Sequence, residues 1–130
     1  MFILIGLLIA SFTIWWLRMG VSSGFATEVY LVYNYMEKKV SLKITNENDI
    51  LVLKEVLKGR SFHDSPSCGF TMEVSIIMAN GKKSIVFCPA NDGCAILRIN
   101  ESGRYINISN EEQMRLYTIL NKYGMKFPCI

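Results

Sequence analysis

Between Phe70 and Ile108 the chain alternates apolar and polar residues with a period of two, which reads as four antiparallel strands sharing one greasy face. The pattern is clearest in Phe70-Thr71-Met72-Glu73-Val74-Ser75-Ile76-Ile77-Met78. Three turn signals divide the stretch: Asn80-Gly81, Pro89-Ala90-Asn91-Asp92-Gly93 and Ser102-Gly103. Asn-Gly suits a two-residue type I′ turn, whose central residues need positive φ. That loop sets Ile76 opposite Ile85 and Val74 opposite Phe87. The second turn sets Cys88 opposite Cys94, Phe87 opposite Ala95 and Ile85 opposite Leu97. The third sets Leu97 opposite Ile108 and Ile99 opposite Ile106. All three place Phe70, Met72, Val74, Ile76, Met78, Ile85, Phe87, Ala95, Leu97, Ile99, Ile106 and Ile108 on one face. A slip of one residue anywhere would send half of them to the other side.

The segments around this meander follow the same logic. Val29, Leu31 and Tyr33 alternate with polar or outward positions, as do Val40, Leu42 and Ile44. Pairing Tyr33 with Val40, Leu31 with Leu42 and Val29 with Ile44 makes a hairpin closed at Tyr35-Met36-Glu37-Lys38. A helix then begins at Thr45 or Asn46, with Ile50, Leu53, Val56 and Leu57 as its stripe and Gly59 as its end. A second helix opens on the capping box Ser109-Asn110-Glu111-Glu112, buries Met114, Tyr117, Leu120 and Tyr123, and stops at Gly124. The expected fold is α+β: hairpin, helix, four-strand meander, helix. Its antiparallel sheet has about six strands and two helices cover one face, over residues 28–130.

Residues 1–17 (MFILIGLLIASFTIWWL) carry no charge and read as a transmembrane or signal-anchor helix. Trp15 and Trp16 stand where an interfacial belt belongs, and a buried core helix would show a polar stripe. A cleaved signal is disfavoured because no Lys or Arg precedes the apolar run, although Ser23-Gly24-Phe25-Ala26 has cleavage-site character. Residues 18–27 read as a short linker. Two signals for orientation conflict. Arg18 follows the span and argues for a cytoplasmic domain, whereas four cysteines, an even number in a small domain, argue for an oxidising compartment. The cysteines outweigh one charge, so the domain is expected outside the cytoplasm.

Cys68, Cys88, Cys94 and Cys129 are the disulfide candidates. The register makes Cys88 and Cys94 cross-strand neighbours, and the first hairpin, extrapolated, brings Cys68 beside the Pro89–Gly93 loop. With all four sulfurs near one edge, three connectivities stay open, including a Cys68–Cys129 link closing about sixty residues. Cys-x5-Cys with distant partners lacks the paired spacing of common structural zinc sites, so no metal ligands are assigned. His63 and Asp64 precede Cys68 in a loop, but neighbours in sequence seldom form a catalytic pair, and no catalytic residue is assigned. Asp92 has the turn context of a cation ligand and, more commonly, of an ordinary turn. Asn100-Glu101-Ser102 and Asn107-Ile108-Ser109 match the glycosylation sequon.

The sheet face away from the helices carries Glu73, Ile77, Val86, Ile96, Arg98, Tyr105 and Asn107, a mixed surface suited to recognition. A net charge of +3 spread along the chain offers no tract for nucleic acid. No cofactor motif is present. The expectation is a membrane-anchored, extracytoplasmic binding or sensing domain, not an enzyme, with a protein or small-molecule ligand. The alternative is a thiol-redox or metal-binding protein that uses the four cysteines.

Overall fold

The structure, a computed structural model, describes residues 1–35, 37–64, 66–70 and 74–125. In chain order the elements are α1 (Phe2–Met19), β1 (Gly20–Ser22), β2 (Glu28–Tyr35), β3 (Lys38–Ile44), α2 (Glu47–Val56) and β4 (Lys58–His63). They continue with β5 (Val74–Ala79), β6 (Ser84–Pro89), β7 (Ile96–Ile99), β8 (Arg104–Asn107) and α3 (Asn110–Lys122). The eight strands form one antiparallel sheet in the order β1-β4-β8-β7-β6-β5-β2-β3. The meander β5–β8 is its centre, as the alternation predicts, and the β2–β3 hairpin joins it through β2. The hairpin register is the expected one, with Val29 opposite Ile44 and Tyr33 opposite Val40, and the ladder continues to Tyr35 opposite Lys38.

Two strands lie outside the expected six. The segment read as a linker holds β1, and the segment read as helix end and loop holds β4. Helix α2 stops at Val56, and Gly59 belongs to β4. The inward positions of β4 are Gly59 and Ser61, so the strand shows no apolar alternation. Backbone pairing to β8 and β1 defines it instead.

Six residue steps, from 22 to 28, carry the chain from β1 to β2, or about 20 Å fully extended. The two strands stand six places apart in the sheet, which would be roughly 29 Å if it were flat. The sheet is therefore curled around the helices. Its concave face buries Leu31, Val74, Ile76, Phe87, Leu97 and Ile106 against Leu53, Val56 and Leu57 of α2 and Leu116, Ile119 and Leu120 of α3.

The meander registers differ from expectation by even numbers of residues. Ile76 pairs with Phe87, Phe87 with Ile99, and Leu97 with Ile106. The first turn is not type I′: Gly81 lacks positive φ. Asn80 closes it by accepting from the backbone N–H of Lys82 (2.9 Å) and Lys83 (2.8 Å). In the third, the left-handed residues are Asn100 and Glu101, both at φ 52°, two positions before the expected Ser102-Gly103. Asn100 Oδ1 also accepts from Val86 N–H at 2.8 Å, which ties that turn to β6.

Helix caps follow the sequence closely. Asn46 caps α2 through Asp49 N–H, and Ser109 with Glu112 forms the α3 capping box. At the other end of α3, Gly124 takes φ 89° and Met125 N–H donates to Leu120 C=O, with Met125 buried. The buried stripe of α3 is rotated from the expected one. Leu116, Ile119 and Leu120 point inward, and Met114 is 71% exposed. The helices run antiparallel: Lys122 and Tyr123 donate to Asp49, while Arg115 pairs with Glu55.

Candidate functional site: the outer sheet face and its disulfide clamp

The convex face is assembled by register. Across β6, β7, β8 and β4 one row runs Cys88, Arg98, Tyr105, Phe62. Ile77 lies opposite Val86, and Ile96 opposite Asn107. The predicted Ile77, Val86, Ile96, Arg98, Tyr105 and Asn107 thus share one face, whereas Glu73 lies outside the described residues.

Phe70 belongs to this side and not to the core. Its ring centroid is 5.4 Å from that of Tyr105, which in turn lies 5.9 Å from that of Phe62. The reason is covalent. Cys68 and Cys94 form a disulfide, which fastens the segment before Phe70 to the β6–β7 connection. Asn91 N–H donates to Gly69 C=O (2.8 Å) and Gly69 N–H to Asp92 Oδ2 (2.7 Å). The Gly69 hydrogen bond is the main cause that holds the Asp92 carboxyl below its ordinary value, with Cys94 N–H adding to it and burial opposing. Gly93 takes φ 95° in this loop, a conformation that favours glycine. Its carbonyl accepts from Gln113 Nε2 at 2.8 Å, which brings the first turns of α3 to the same edge.

The expected Cys88–Cys94 pairing is therefore corrected. It needed one particular register, and Cys88 stands opposite Arg98 instead. Cys88 is 3% exposed and outside the Cys68–Cys94 bond, which also excludes the Cys68–Cys129 link; Cys129 lies outside the described residues. His63, expected in a loop, ends β4 and is exposed. With Cys68 bonded to Cys94, Cys68 itself offers no thiol to His63 and Asp64. Asp92 joins loops, although its carboxylate and the two disulfide sulfurs lie within 4.8 Å of one another, close enough for a metal if the bond were reduced.

Arg98 was legible as a surface position but not as a desolvated one. Its guanidinium carbon lies 5.6 Å from the Phe70 ring centroid. Its Nε and Nη2 are buried without a hydrogen-bond partner among the described residues. These two donors form the side-on fork of a guanidinium, the geometry that grips a carboxylate with two parallel bonds. Chemically, a guanidinium with unsatisfied donors is an anion-recognising group. Comparison with known proteins is silent: no family model, curated protein or solved structure matches the chain.

Proposed function

We propose that the chain is a membrane-tethered recognition domain, held outside the cytoplasm, which takes an acidic ligand on its outer sheet face. The observation that carries this reading is Arg98, with two buried donors and no acceptor among the described residues. Buried donors left empty are costly, so an oxyanion that fills them gains more than it would at a solvated arginine. Helix α1 is long and apolar enough to cross a bilayer and is nowhere buried in the fold. The Cys68–Cys94 bond supports the oxidising side, because structural disulfides persist there and not in the cytosol.

The test uses the full chain in detergent, melted with increasing benzoate, a planar carboxylate that can pair with Arg98 and stack on Phe70. At ten times its dissociation constant a ligand adds about 1.4 kcal/mol. The melting temperature should rise in the wild type and stay flat in Arg98→Met. An equal response in both, or none in either, contradicts the site.

A second reading, a metal-binding or thiol-redox protein, draws on the clustering of Cys68, Asp92 and Cys94. It requires that the reduced protein take up zinc stoichiometrically and that Asp92→Asn weaken that uptake.

A further inference from the structure

We infer that the folded domain is seated on an anionic membrane surface, with Arg18 of α1 and Arg60 of β4 against phospholipid phosphates. This rests on reading α1 as a membrane anchor. Its 18 residues span about 27 Å, close to the roughly 30 Å of a hydrocarbon core, so its ends stop at the interfaces. Inside the helix, the Ser11 and Thr13 hydroxyls donate to the carbonyls of Leu7 (2.8 Å) and Ile9 (2.7 Å), so neither donor is left to face hydrocarbon.

The junction leaves no slack between helix and fold. Gly20 is both the C-cap of α1 and the first residue of β1. The Met19 carbonyl accepts from Ser61 Oγ at 2.9 Å, and Ser61 Oγ accepts from Arg104 Nη2 at 2.7 Å. Ser61 is 1% exposed, so this bridge is shielded from competing water. The Arg60 guanidinium lies over the Trp16 ring and 5.9 Å from the Trp15 centroid. Trp16 precedes Met19 by three residues, or about 4.5 Å along the helix axis. A cation of the folded domain therefore reaches back to the depth of the interfacial rings of the anchor. A domain on a flexible tether could stand off the bilayer; this one cannot.

Charge selects the lipid. Arg18 and Arg60 are exposed, and the ion pairs among the described residues involve Lys43, Arg115 and Lys122 instead. Cations at headgroup depth attract acidic phospholipids at about 1 kcal/mol each, or roughly fivefold enrichment per cation.

Trp15 and Trp16 are the two tryptophans of the chain, so their emission reports this junction alone. The full chain is reconstituted in phosphatidylcholine vesicles holding a small fraction of nitroxide-labelled phosphatidylglycerol or, in parallel, of phosphatidylcholine with the same label high on the acyl chain. The ratio of quenching by the two labelled lipids cancels any change in intrinsic emission. Labelled phosphatidylglycerol should quench more strongly in the wild type. Arg60→Gln should lower that enrichment about fivefold, whereas Arg60→Lys, which keeps the charge, should retain it. Equal quenching by the two lipids, or a preference that Arg60→Gln leaves unchanged, overturns the seating while leaving the anchor intact. No quenching by either lipid, with the protein in the supernatant after ultracentrifugation, overturns the anchor and the seating with it.

Discussion

Asp49 is 9% exposed where α2 and α3 meet, and its Oδ2 accepts from Lys122 Nζ at 2.7 Å and from the Tyr123 hydroxyl. The Lys122 hydrogen bond, followed by that of Tyr123, lowers the Asp49 pKa below its ordinary 3.8. A depressed folded-state pKa adds stability that is present above the unfolded value and is lost as pH falls through the folded one. The latch should therefore weaken on acidification below about pH 4. Tyr123 behaves in the opposite sense. Burial, then its bond to Asp49, pushes its pKa up to about 12 from 10.0, so its share of stability is complete below pH 10 and is lost as pH rises through 12. Tyr123→Phe should cost about 1 kcal/mol at neutral pH and flatten the decline in urea midpoint between pH 10 and 12 relative to wild type. Asp49→Ala should cost more, about 1–3 kcal/mol, because it leaves two donors without their acceptor. At this scale local chemistry was legible and distant chemistry was not. The capping box spans three positions in sequence and can be read directly. Asp49 meets Lys122 and Tyr123 across separations of 73 and 74 residues, and nothing in the spacing announces it.

Strands and turns separate what alternation can decide from what it cannot. The pleat sends neighbouring side chains to opposite faces, so an odd slip would expose Val74, Ile76, Phe87 and Leu97 together, whereas an even slip exposes none of them. Each meander register is displaced by an even number, and the faces of these residues are those expected. Choosing among even registers falls to single side chains such as Asn80 and Asn100, whose hydrogen bonds the alternation does not encode. The Cys88–Cys94 pairing failed for that reason, since it needed the register and not merely the face. Strand β4 was invisible because Gly59 and Ser61 take the inward positions that apolar residues usually mark. The faces themselves are testable. Val74, 1% exposed, should not tolerate Val74→Asp, which buries a charge at a cost of several kcal/mol and unfolds the domain. Ser75→Asp, one residue along on the outer face, should leave the urea midpoint nearly unchanged. For the clamp, the bonded cysteines are 26 residues apart, and closing such a loop contributes about 3.5 kcal/mol on the chain-entropy account. Cys68→Ser should lower unfolding stability by roughly that amount, read from urea melts of the full chain.

At the scale of the whole molecule, the curled sheet, the disulfide edge and the apolar helix make one directional object. β1 continues directly from α1 at one sheet edge, and 22–28 crosses to β2 near the other. The uncharged N-terminal run was plain in the sequence, whereas the absence of slack behind it was not. Residues 18–27 have linker composition, and the strand Gly20–Ser22 within them is ordered by backbone pairing with β4, itself unmarked by any apolar pattern. The central claim is a membrane-anchored domain in an oxidising compartment, and one measurement addresses both halves. Membranes from cells expressing the full chain are alkylated without reductant and extracted with alkaline carbonate, and the cysteine peptides are read by mass spectrometry. The account predicts that the chain stays in the membrane pellet with the Cys68 and Cys94 peptides joined and unalkylated. Release into the supernatant, or recovery of Cys68 and Cys94 as alkylated thiols, would contradict it.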